Sequence, residues 1–569
     1  MSRFSAISAN FIRAIRANFI KVPQPFRPIA WFVSLVFTGL LSACVGLAQL
    51  PATPRADMDS MRVDVEFLAD DRLQGRETGS AGYQQAADYV ADRFAKLGLT
   101  SITGADYFQQ VPLRKALWGD GAATLVLHSR EGDITFDLGV DFLGAPSTAH
   151  NDSATTAGLV FVGYGIDAPA YGVDDYAGLD VQGKIVVYLS GRPQYLPNEV
   201  GAHFASNRTK QQTAARHGAV GTITLNTPIR ELRRAFAASA KHVQDPRWDW
   251  LRADGTPGNS IQHLQPGVML DIPAAKQLFM GAARSLDTIF TEIENGLVPQ
   301  GFALPYTATL TSSAKHQRIS SPNVVGLLPG RDPKLRHEYI IFSAHLDHIG
   351  IEPGTGLINN GAQDNAAGIA VMLEVARLFT TANRAPRRSI LFVAVTAEEE
   401  GLLGSDYFAR HPPVAPKSMV ANINLDMPML LYPFRDVIAF GAEHSSLGKT
   451  ATRAARRTGL KLSPDPMPEQ VIFVRSDHYS FVRRGIPAIY LITGREAING
   501  EVDGSRAQIQ FLRNHYHSPS DTADAGVNYV AAQQFAEVNY AIAWEVADSA
   551  QKPRWNRADF FGELFAGNK

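Results

Sequence analysis

The sequence predicts an α/β protein, a mixed and mostly parallel sheet covered by helices, with a β-rich insert interrupting it. Three observations predict this. After Asn323, strand-like apolar runs alternate with amphipathic helical stretches, the pattern of a sheet with crossover helices. From about Ala122 to Tyr306 the texture changes to short β-like runs punctuated by glycine and proline. The 569 residues are 45% hydrophobic and 19% charged, enough apolar material for a sizeable core.

Residues 1–43 read as an export leader. Arg3, Arg13, Arg16, Lys21 and Arg27 precede an apolar run, Ile29 to Leu41, that is short for a membrane span. The run ends in Leu41-Ser42-Ala43-Cys44, which resembles the lipobox of bacterial lipoproteins. That resemblance implies cleavage before Cys44, lipidation of its thiol, and attachment to the cell envelope at the outer membrane or periplasm. Cleavage after Ala48, which the small residues Gly46 and Ala48 suit, gives a periplasmic protein instead; an uncleaved anchor is the third reading. Cys44 is the sole cysteine, so no intrachain disulfide can form and the core must hold the fold.

Residues 45–56, with Pro51 and Pro54, form a linker. The first part of the main domain, 57–121, contains a helix from Ala81 to Leu97 with Tyr83, Ala86, Ala87, Val90 and Phe94 on one face and Gly98 as its stop. The insert, 122–306, includes the strands Gly158–Gly163 and Gly183–Tyr188 and a helix from Lys210 to His217. The second part of the main domain, 307–550, has strands at Tyr339–Ala344, Ser389–Thr396, Ala421–Leu425 and Ala488–Ile492. Its helices run from Ala366 to Phe379 and from Tyr529 to Ala547. Residues 551–569 are a C-terminal tail. Lys and Arg number 54 against 55 Asp and Glu, with no basic stripe, which argues against a nucleic-acid partner.

Polar residues cluster at the ends of these strands. His345 and Asp347 follow the first, Glu398 and Glu399 the second, Asp426 ends the third, and Asp364 precedes a helix. In an open α/β sheet, ligands gather outside the carboxyl ends of the strands. So many carboxylates at one edge repel unless cations sit between them. Imidazole and carboxylate without thiolate suit zinc, and also manganese or cobalt. Of two adjacent glutamates, one can ligate while its neighbour handles the proton of an activated water. Taken singly, each of these residues has a plainer reading: Asp364 as a helix N-cap, the glutamates as first-turn acids, the histidines as solvated turns.

Taken together they resemble the M28 family of co-catalytic zinc peptidases, over residues 60–120 and 305–548. The resemblance implies two zinc ions and peptide substrates. Asp364 would bridge the metals, one completed by His345 and Asp426, the other by Glu399 and His517. Glu398 would be the general base for attack by metal-bound hydroxide, Asp347 would hydrogen-bond the outer nitrogen of His345, and the Asp364–Asn365 peptide would be cis. The family's last histidine precedes a Ser/Thr-x-x-Asp-Thr run, which selects His517 over His515; His515 and His348 are then surface residues. Tyr516 matches a tyrosine that polarises the scissile carbonyl in some relatives. Ser476-Asp477-His478 resembles a stretch lining the substrate site. The insert resembles a protease-associated domain through Gly163-Tyr-Gly-Ile166, Asp174-Asp-Tyr176 and the Lys210 to Ala219 spacing, and is expected to cover the active-site edge. An aminopeptidase is the leading expectation. A glutamate carboxypeptidase, a glutaminyl cyclase-like acyltransferase and a binding protein on an inactive scaffold are the alternatives. Residue preference, oligomeric state and the metal used in vivo are not legible, though the segment Gly494–Arg513 is placed to shape the pocket.

Overall fold

The computed structural model describes residues 53–567 apart from Ala105, Gln262, Pro266, Asn499 and Glu501; the leader and Cys44 lie outside the described residues. Asp57 caps α1 (Met58–Leu68) by accepting the N–H groups of Asp59 and Ser60. Ser80 caps α2 (Ala81–Lys96), which buries Tyr83, Ala86, Ala87, Val90 and Phe94. Gly98, at φ 74°, makes the left-handed turn that ends it.

Next come β1 (Phe108–Ser129), β2 (Asp152–Phe161) and β3 (Ile185–Leu189), then the helices α3 (Asn198–Ala205) and α4 (Asn207–Arg216). They are followed by β4 (Gly221–Leu225), β5 (Arg247–Trp250) and β6 (Phe302–Leu328). β1 and β6 are 22 and 27 residues long and pair antiparallel. Both run through the positions where the sequence changes texture. Gly119 and Gly121 in β1, and the register shift between Ser312 and Ala314 in β6, explain why they look broken when read from sequence. Beyond them β2, β3 and β4 lie parallel over their own apolar core, which includes Phe161, Ile185, Val187 and Ile223.

The remaining elements alternate: β7 (Tyr339–His345), α5 (Ala367–Thr380), β8 (Ser389–Val395), α6 (Leu403–Arg410), β9 (Met419–Leu425), β10 (Asp436–Phe440), α7 (Ser446–Arg457), β11 (Lys461–Ser463), α8 (His478–Val482), β12 (Ala488–Thr493), α9 (Gly504–Asn514) and α10 (Tyr529–Asp548). The sheet order is β11-β10-β12-β9-β7-β8-β6, continuing into β2-β3-β4. β7 pairs parallel with β8 and β9, β9 with β12, and β10 with β11, while β6 runs antiparallel to β8 and β10 antiparallel to β12. Every residue of β8, β9 and β12 is buried, as expected of parallel strands covered on both faces. One cover is α5 and α10, where Phe379 stacks on Trp544 with centroids 5.7 Å apart. The other includes Phe408 of α6 and Phe481 of α8. Burying side chains of this size stabilises the fold by about 1.5–3 kcal/mol each.

The tail is folded onto the rest. Phe561 is fully buried, and Trp555 Nε1 donates to Gly485 O at 2.9 Å. His444 lies between Glu199 of α3 at 2.6 Å and Asp559 of the tail at 2.5 Å.

Candidate metal centre

His345 ends β7 opposite Val395 of β8, and Asp426 directly follows β9, so three parallel neighbours deliver their side chains to one edge. His345 Nδ1–H donates to the main-chain carbonyl of Asp347 at 3.1 Å, which aims Nε2 at the carboxylates. Nε2 stands 3.0 Å from Asp426 Oδ1 and 3.2 Å from Asp364 Oδ1. Without a metal ion, a proton on Nε2 can hold these oxygens; with one, the same nitrogen and oxygens are ready-made ligands. On the far side of Asp364, Oδ2 is 3.2 Å from His517 Nε2, which is also 3.2 Å from Glu399 Oε2. The two oxygens of Asp364 therefore face two histidines. Imidazole nitrogens and carboxylate oxygens at this spacing fit divalent metal ions.

The charges answer to the same geometry. Burial opposes protonation of His345, but the Asp426 and Glu398 charges outweigh it and push the imidazole well up. His517 rises to about 10, against burial, through Glu399 and Asp364. Burial raises Glu398 well above the carboxylate range; His345 opposes this, while Asp426, Asp477 and Glu399 add to it. Asp364 and Glu399 move the other way. Burial is overridden by the facing histidines, and Glu399 falls to about 2.

The loops are shaped to aim these groups. Ala397 and Leu402 take positive φ, 53° and 61°, turning the 398–399 pair back toward the sheet edge. The Asp364–Asn365 peptide is cis. Asn365 then joins three ligand segments: its amide donates to His345 O at 3.3 Å and Leu425 O at 3.0 Å, and its oxygen accepts Met427 N at 3.0 Å. Asp521 accepts the N–H groups of Gln363 and Asp364, fixing the backbone that carries the Asp364 carboxylate.

Three expectations change. The Asp347 carboxylate does not hold the His345 ring, because the residue's own carbonyl does so. Instead it accepts Glu398 N at 3.1 Å and Glu399 N at 3.2 Å. His348 is not a surface residue; it is buried, with Nδ1 2.8 Å from Glu399 Oε1 and its ring 5.6 Å from that of His517. Together with Asp364 and Glu399 it forms a further group able to hold an ion. Ser476, Asp477 and His478 do not line an open surface. They are buried, with Ser476 Oγ accepting from Asn424 Nδ2 at 2.6 Å. His515 is half-buried, stacked on Phe511 and 2.9 Å from Ser520 Oγ, outside the ligand groups. Tyr516 stacks on His517, with centroids 3.9 Å apart.

Residues 323–543 match the family model described as peptidase family M28. Over these residues the chain is similar to the M28 peptidase family. The matched stretch contains His345, Asp347, Asp364, Glu398, Glu399, Asp426, Tyr516 and His517 and has a mixed α/β fold. A probable leucine aminopeptidase 2 of Aspergillus oryzae is 26% identical over 292 residues, 48% of this chain and 56% of that protein. Aminopeptidase YwaD of Bacillus subtilis is 27% identical over 244 residues, 41% of this chain and 47% of that one. The chain thus spans about half the length of the curated relatives it matches. Among solved structures, an aminopeptidase from Aneurinibacillus sp. strain AM-1 aligns at a TM-score of 0.49 and 21% identity, covering 89% of this chain and 98% of that chain.

Proposed function

We propose that the chain is an exported aminopeptidase that uses two zinc ions to hydrolyse the amino-terminal peptide bond of its substrates. The observation that carries this reading is the placement of His345 and His517 against opposite oxygens of Asp364. His345, Asp364 and Asp426 would hold one ion and His517, Asp364 and Glu399 the other. Bound there, the ions would polarise the scissile carbonyl and bring water into the range where it ionises near neutrality. Glu398 takes the proton from the attacking water and hands it to the departing amine. The Tyr516 hydroxyl donates to the carbonyl oxygen as negative charge develops on it. Asp347 keeps Glu398 and Glu399 in place through their main-chain N–H groups. The acidic edge favours a substrate's free ammonium group, and the printed names of the Aspergillus and Bacillus relatives, both aminopeptidases, support the amino terminus over the carboxyl terminus.

Glu398→Gln is the direct test. It should retain zinc and lose nearly all activity on leucine p-nitroanilide; full activity would show that another group is the base. Metal stoichiometry separates this reading from a glutaminyl cyclase, for which one equivalent is expected. Lipid anchoring through Cys44 is read by palmitate labelling, which Cys44→Ser should abolish. Residues 122–306 would act as a protease-associated domain that restricts access to short peptides, so deleting them should change substrate selection more than metal content.

A further inference from the structure

The residues of the metal centre are gathered by a side chain far from them in sequence. Gln74, Gly75 and Arg76 all have positive φ, 49°, 69° and 49°, so the chain doubles back and turns the Arg76 side chain inward to 1% exposure. A Cβ at Gly75 would lie 2.5 Å from Gly350 O and 2.6 Å from Asn359 O, so only glycine permits this approach. Arg76 Nε donates to Leu346 O at 2.9 Å, Nη1 to Asn360 O at 2.6 Å and to Leu68 O, and Nη2 to Gly361 O at 3.0 Å. Leu346 sits between His345 and Asp347, and Gly361 leads into Asp364. One planar fork therefore spans the two segments that meet at the ligands.

The surrounding chain is joined at the same places. His348 N donates to Arg76 O at 3.1 Å and Gly350 N to Gly75 O at 3.0 Å. Asn360 Nδ2 reaches Ala69 O at 2.9 Å and Asp71 Oδ1 at 2.8 Å. All four acceptors of the guanidinium are main-chain carbonyls. A charge buried this deeply is costly without compensation, and the nearby acids that favour it are Asp364, Asp521, Asp347 and Glu399. It is thus a fixed cation among the carboxylates that ligate or support the proposed ions.

We propose that Arg76 is a positioning residue for the metal centre, setting the spacing of His345 from Asp364 and holding the neighbouring acids together before the ions arrive. The inference rests on the two-metal reading above. The conservative variant Arg76→Lys keeps the charge and loses the fork.

The test is titration of chelator-dialysed protein with zinc ion in a competing chelator, alongside the melting temperature. Arg388→Lys is the control, since Arg388 is also 1% exposed and donates to Val546 O and Ser549 O, away from the ligands. Both variants should melt lower, but only Arg76→Lys should weaken zinc binding, by about ten-fold or more. Parent-like zinc affinity in Arg76→Lys, or an equal loss in both variants, overturns the proposal. If the parent protein binds no zinc, the two-metal reading fails and this inference with it. Should Arg76→Lys not fold, Asn360→Ala loosens the same bracket with the guanidinium in place. Weakened zinc binding then supports the proposal, and parent-like binding overturns it.

Discussion

Replacing Asp347 with asparagine separates two accounts of how Glu398, the proposed general base, is held. In the parent, both carboxylate oxygens accept main-chain N–H groups, from Glu398 at 3.1 Å and Glu399 at 3.2 Å, in a fully buried setting. The carboxamide has the same shape but only one acceptor oxygen. Its NH2 faces the second N–H, so one charge-assisted bond is lost and a buried donor is left unpaired, a local cost of about 2–4 kcal/mol. The loop relieves this by moving the 398–399 peptide, and displacing a catalytic group by an ångström costs about a hundred-fold in rate. The His345 ring is untouched, because its partner is the Asp347 carbonyl. Asp347→Asn should therefore lower kcat on leucine p-nitroanilide by about a hundred-fold while zinc content stays at the parent value. If kcat held and zinc affinity fell instead, the carboxylate would be supporting the histidine after all, and the assignment drawn from these distances would be wrong.

His348→Ala should weaken the ion held by His517 and Glu399 by about ten-fold, read by chelator competition, since it removes the ring that orients Glu399. Gly404→Ala should lower the melting temperature and activity together, because its Cβ would meet Thr396 O at 2.1 Å, beside the loop bearing Glu398; the overpacking costs about 1–3 kcal/mol. His444 predicts a pH dependence of stability. Burial pulls its pKa down, but hydrogen bonds to Asp559 and Glu199 raise it to about 9 from an ordinary 6.5. A raised pKa stabilises fully below about 6.5 and loses that contribution as pH climbs through about 9, at most about 3 kcal/mol. Melting curves from pH 6 to pH 10 should show the loss in the parent and a flatter profile in His444→Gln.

Much of the site was legible because it lies at strand ends. The apolar runs before His345, Glu398 and Asp426 announce strands, and a parallel sheet leaves their following residues at one edge. Elements with strong periodicity, such as α2 and α10, fall within about two residues of their expected limits. What stayed hidden depends on contacts with no local signal. His348 reads as a solvated turn residue until the 75–77 segment, more than 270 positions earlier, pairs with its backbone and buries it. Asp521 looks like one acid in a polar loop, although its carboxylate fixes the N–H groups of Gln363 and Asp364. Which part of Asp347 meets His345 is a matter of main-chain geometry, to which residue type is blind.

The two longest strands have a mechanical meaning. β6 pairs with β8 near its C-terminal end and with β2 near its N-terminal end, and β1 pairs with it along most of that length, so one continuous sheet carries both halves. A pair of hydrogen-bonded strands more than 20 residues long resists bending like a strut. Bending at this junction would have to break ladder hydrogen bonds between β1 and β6, so the two ends of the sheet are joined by paired backbone and not by a loop.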